Sequence, residues 1–142
     1  MDGALERTGV IPNDIILFAS RLLLAWIFVH EGVSLAANFD AASASMATIG
    51  VPAPVLISTI TLQLVAGIAI AVGWHARFGA AALGLFCLAT AILFHTNFAN
   101  RNELLHFEKD LAIAGGMFVL MVRGVGRWSI DGVCQTKCAA RE

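Results

Sequence analysis

Charge is scarce in this chain, and neither sign dominates. Asp, Glu, Lys and Arg make up 13% of the 142 residues, with 9 basic against 10 acidic side chains and a formal net charge of -1. Without a basic surplus there is no electrostatic footprint for a phosphate backbone, which argues against nucleic acid as a partner. Tyrosine is absent, and proline and cysteine number 3 each. No glycine-rich nucleotide cradle, haem-attachment sequence or cysteine cluster occurs, so the chain lacks the parts to complete a redox circuit by itself. The amino end also makes a poor secretory leader. Asp2, Glu6 and Asp14 outweigh Arg7, and Arg21 interrupts the apolar run that follows, so the first hydrophobic segment is expected to be retained as an anchor.

What fills the chain instead is apolar: 58% of residues are hydrophobic, in long runs of Ala, Leu, Ile and Val. A helix crossing a bilayer needs about 20 such residues, which leaves room for about four crossings. The runs place spans at about 15–39, 54–73, 78–97 and 104–122, with a cytoplasmic tail at 123–142. The expected fold is therefore all-α, an integral membrane four-helix bundle forming one domain over 1–142. Asp40 is suited to cap a short Ala/Ser-rich helix lying in the interface, with Met46 and Ile49 on one face. Gly50-Val51-Pro52-Ala53-Pro54 breaks the chain and starts the second span, because proline suits a first helical turn. Trp74-His75-Ala76-Arg77 is short enough to make the second and third spans an antiparallel hairpin, with His75 as a loop residue.

The fourth span is the least regular. Its uninterrupted apolar part, Leu111 to Val122, is too short to cross alone, so it is expected to begin near Leu104 and carry charge inward. Arg123-Gly124-Val125-Gly126-Arg127-Trp128 then ends it at a headgroup region. An even number of spans gathers Arg7, Arg77, Arg123, Arg127, Lys137 and Arg141 on one side, and the positive-inside rule predicts that both termini are cytoplasmic.

Ionisable groups at membrane depth are costly unless paired or hydrated, so their positions mark a candidate site. At about 1.5 Å of rise per residue, His30, Glu31, His95 and Lys109 fall in one layer about 22 to 25 Å from the cytoplasmic edge. His106, Lys109 and Asp110 share one helical face, which lets Lys109 pair with Glu31 and Asp110 orient a histidine. The competing reading is an ion-pair belt that locks the outer helix ends. Arg21 suits either snorkelling to cytoplasmic headgroups or holding an anionic or quinone headgroup, and Gln63 suits a helix-to-helix hydrogen bond. The candidate polar or ligand site is thus Arg21, His30, Glu31, Gln63, His95, His106, Lys109 and Asp110, with no residue assigned to catalysis. A quinone is compatible with these groups. Haem is disfavoured, since only His30 with His95 or His106 offers two imidazoles, and no metal site is expected. Cys87 reads as a packing residue. Cys134 and Cys138 form a C-x-x-x-C that suits a disulfide if helical, but thiols in a reducing cytoplasm.

Taken in order, Arg21-Leu22-Leu23-Leu24 leading to Phe28 and Gly32, Gly50 to Pro54, Gly73 to Arg77, Phe94-His95, Phe107 to Gly116, and Gly124 to Asp131 resemble the DoxX family over nearly all of Arg21 to Asp131. The resemblance implies a bacterial four-helix inner-membrane protein. Some relatives are small subunits of thiosulfate:quinone oxidoreductase or partners of thiol and oxidative-stress enzymes. The family's recurrent polar residues correspond here to Arg21, His95, Lys109 and Asp131. Two positions depart from the pattern: Ser34-Leu35 stands where many relatives place a lysine, and Gln63 where many carry a glutamate. Two function classes follow. One is a membrane subunit or partner of a quinone-linked or thiol/sulfur oxidoreductase, soluble or membrane-bound. The other is a non-catalytic membrane module that binds or moves a small molecule or anchors a soluble partner.

Overall fold

The computed structural model describes residues 3–124 and 126–133. Helix α1 runs over Gly3–Ala37, α2 over Phe39–Thr48, α3 over Ala53–Val72, α4 over Ala76–Phe94 and α5 over Arg101–Arg123. A sixth helical segment begins at Ile130. The carboxyl-terminal pair Cys134 and Cys138 lies outside the described residues.

The expected four-helix membrane bundle is corrected here. Among the described residues, three stretches are long and apolar enough to cross a membrane: Asn13–Ala37, Ala53–Val72 and Ala76–Phe94. Helix α5 is not one of them. It has the length, but Arg101, Glu103, Glu108, Lys109, Asp110 and Arg123 lie within it. With three qualifying helices in place of four, the even-number premise that put both termini in the cytoplasm does not hold.

Local chemistry sets the element ends. The carbonyl of Ser34 accepts from both the backbone N–H and the side-chain Nδ2 of Asn38, which closes α1, and the chain turns into α2, a short helix with no buried residue. Pro54 occupies the first turn of α3, where its missing N–H has no intrahelical partner to lose. Gly73 ends α3 in the left-handed region at φ 73°, and His75 follows at φ 48°, so three residues reverse the chain into α4.

The helices pack in chain order, α1 on α3, α3 on α4, and α4 on α5, while α1 meets α5 only locally. Small residues allow close approach where lipid supplies little hydrophobic drive. A Cβ on Gly84 of α4 would stand 2.9 Å from the Phe118 ring and 3.2 Å from Met117, both on α5. The core centres on Phe28, Ile70, Leu83, Cys87 and Met117. Many large apolar side chains remain exposed, among them Leu23 and Trp26 on α1 and Val65 on α3, as expected of surfaces that face lipid rather than water. The α4–α5 register is antiparallel throughout: Arg77 lies by Gly124, Gly84 by Met117, Thr90 by Asp110 and His95 by Glu103.

Candidate functional site

Two polar clusters stand at opposite ends of α4. The first closes the α4–α5 hairpin. The Asn100 side-chain oxygen accepts from the Asn102 N–H at 3.0 Å and caps α5, which turns the helix back along α4 and sets Glu103 beside His95. His95 Nδ1 and Glu103 Oε2 are 2.7 Å apart. A carboxylate only accepts, so Nδ1 of His95 carries the proton and donates it. His106, one turn further along α5, stacks on the His95 ring with centroids 5.1 Å apart and planes at 22°. Lys109 Nζ lies 3.2 Å from His106 Nδ1. An ammonium only donates, so this nitrogen is the bare one and Nε2 of His106 holds the ring proton. Deeper in the hairpin the Thr90 hydroxyl lies 3.0 Å from Asp110 Oδ2, with the Phe86 and Cys87 carbonyls at 3.1 and 3.0 Å.

The two partners thus differ in sign: His95 is tied to an acidic side chain and His106 to a basic one. The cluster is suited to donating hydrogen bonds to a polar headgroup. It is not arranged for metal: among the described residues no group of three or more His, Cys, Asp and Glu converges for an ion. Nor is it arranged for bis-histidine haem, which needs ring nitrogens pointing at each other across a gap, whereas these rings lie face to face.

The second cluster surrounds Arg21, which is 2% exposed rather than reaching for headgroups. Its Nη2 donates to the Trp128 carbonyl at 2.8 Å, and its guanidinium stands 5.1 Å from the Phe18 ring centroid. Asp131 tightens the same turn. Its carboxylate accepts from the N–H groups of His75 and Ala76 at 3.1 and 3.3 Å, and its own N–H donates to the Gly73 carbonyl at 2.9 Å. Ser129 Oγ donates to the Gly126 carbonyl and accepts from the Gly132 N–H. This cluster fastens the chain after α5 onto the α3–α4 turn.

The remaining candidates stand apart. His30 and Glu31 are exposed on α1, and the His30 ring stacks on Trp26 one turn away at 5.8 Å. Among the described residues no hydrogen bond or ion pair joins Glu31 to Lys109; Lys109 meets His106, and Asp110 meets Thr90 rather than a histidine. Gln63 is 5% exposed on α3, and its Oε1 has no hydrogen-bond partner among the described residues. Two contributors escaped the sequence reading. Glu103 was signalled by the capping pattern Asn100-Arg101-Asn102-Glu103 at a helix start. Thr90, the lone hydroxyl of α4, shows its role only once the hairpin register is known.

Comparison with known proteins follows the same outline. The DoxX family pattern matches residues 16–96. Inner membrane protein YqjF of Escherichia coli (strain K12) is 34% identical over 125 residues, covering 88% of this chain and 96% of its own length. Inner membrane protein YphA of the same organism is 29% identical over 126 residues, covering 84% and 90%. No solved structure matches.

Proposed function

Since the chain belongs to the DoxX family and is a multi-pass inner-membrane protein, we propose that it serves as a membrane subunit or partner of a quinone-linked or thiol/sulfur oxidoreductase system. The observation that carries this reading is the coupled arrangement of His95 with Glu103 and His106 with Lys109 at one end of the α4–α5 hairpin. His106 and Lys109 are exposed, so their donors are open to a ligand or a partner, while His95 and Glu103 are half-buried behind them. Reduction of a quinone to a quinol takes up two electrons and two protons. In this reading the electrons come from the partner. His106 Nε2 and the Lys109 ammonium hydrogen-bond the headgroup, and the His95–Glu103 pair holds a proton close by. Asp110 and Thr90 fix the helix that presents Lys109.

Absorbance and lipid extraction of the purified protein test the proposal. A quinone that co-purifies with the chain supports it. A preparation free of quinone, from membranes rich in it, favours the other class, a non-catalytic module whose exposed Glu108 and Lys109 meet a small molecule or a soluble partner.

A further inference from the structure

The end of α4 opposite the histidine cluster is basic and aromatic. Arg123 closes α5, and Arg127 follows Gly124 and Gly126, which turn the chain at φ 81° and 75°. Arg77, in the first turn of α4, lays its guanidinium on that turn: a Cβ at Gly124 would stand 3.0 Å from Arg77 Nη2 and 3.2 Å from its Nε. All three arginines are exposed, and among the described residues none has an ion pair. The acids nearby do not neutralise them. Asp131 is engaged by the N–H groups that open α4, and Asp14 is half-buried on α1, its Oδ1 3.7 Å from where a Gly126 Cβ would be. Two of the chain's 3 tryptophans are at this end, Trp74 at 55% and Trp128 at 54% exposure, with Phe78 at 76%.

We propose that this end is a binding site for an anionic phospholipid, with Arg77, Arg123 and Arg127 holding the headgroup phosphate while Trp74, Phe78 and Trp128 lie at the boundary of headgroup and acyl chain. A planar guanidinium presents paired donors that match phosphate oxygens, which a solvated lysine surface does less well. Indole rings favour the same depth of the bilayer. The glycine at 124 gives the arrangement its specificity, because a side chain there would push the Arg77 guanidinium off the turn. A free phosphate satisfies the arginines but leaves the aromatic rim without an apolar neighbour, so the lipid is the ligand this surface fits.

The test is native mass spectrometry of the full detergent-solubilised chain, titrated separately with phosphatidylglycerol, phosphatidylcholine and inorganic phosphate. Wild type should retain phosphatidylglycerol in preference to phosphatidylcholine, and inorganic phosphate should not displace it. Each arginine near an anionic surface contributes about five-fold, so an Arg123→Gln/Arg127→Gln double variant should lose roughly twenty-five-fold of that preference. These two positions end and follow α5, so the variant keeps the helix core and serves where Arg77→Gln fails to fold. Arg101→Gln, at the other end of α5, should leave the preference unchanged. Equal retention of both lipids by wild type, displacement by inorganic phosphate, an unaltered preference in the double variant, or an equal loss in Arg101→Gln would each overturn the proposal.

Discussion

Arg21 and Trp128 are 107 positions apart in the chain, yet the guanidinium Nη2 of the first donates to the backbone carbonyl of the second at 2.8 Å. A charge that would burden the α1 span is thereby used to hold the segment after α5. Hydrogen bonds to charged groups contribute about 1.5 to 3 kcal/mol. Arg21→Met should therefore lower stability in detergent by about 2 kcal/mol, and Arg21→Lys should recover only part of it, because an ammonium lacks the guanidinium's fork. Thermal unfolding reads both. A methionine variant as stable as wild type would show that the tie carries no weight.

Gly73 is pressed from two sides. It lies at φ 73°, and a Cβ there would collide with the Ser129 side chain and stand 2.9 Å from Arg21 Nη1. Gly50 has a similar φ of 79° but open space around it. Alanine at position 50 should cost only the backbone term of about 1 to 2 kcal/mol. Alanine at position 73 should cost clearly more, because it also displaces the Arg21 knot. Parallel unfolding of the two variants checks the difference, and equal losses would mean that the knot yields without resistance.

Asp131 caps a helix that begins 55 residues before it, accepting from Ala76 N at 3.3 Å as well as from His75 N. Loss of a capping carboxylate typically costs about 1 kcal/mol. Asp131→Ala should reduce stability by that order and speed amide exchange at His75 and Ala76, while Asp131→Asn keeps one acceptor oxygen and suffers less. Exchange unchanged at those two amides would contradict the cap.

The parts of this fold written in local chemistry could be read from sequence: the Pro54 start of α3, the tight Gly73 to Arg77 turn, and the polar character of the stretch from His95 to Asp110. What depended on partners could not. Arg21 looked like a snorkelling residue because its acceptor is a main-chain carbonyl, which no side-chain pattern reveals. Estimated depth alone suggests Glu31 as the partner of Lys109, whereas the i, i+3 neighbour on its own helix, His106, lies 3.2 Å from it and Glu31 stays exposed on α1. The fourth span failed for a compositional reason visible from the start. Six charged side chains between Arg101 and Arg123 outweigh one apolar run, however well that helix packs on α4.

The most direct test of the proposed site is substitution at Lys109, with membrane-inserted protein and bound quinone measured together. Lys109→Met keeps helix propensity but removes the donor to His106, and Lys109→Arg keeps the charge in a different shape. Protein levels should be near normal for both variants, with co-purifying quinone and quinone-linked activity reduced about ten-fold or more in each, because methionine removes the charged hydrogen bond and arginine's longer planar fork misplaces it. Full retention of quinone and activity by the arginine variant, or failure of both variants to accumulate in the membrane, would contradict the proposed site and leave Lys109 as a structural charge.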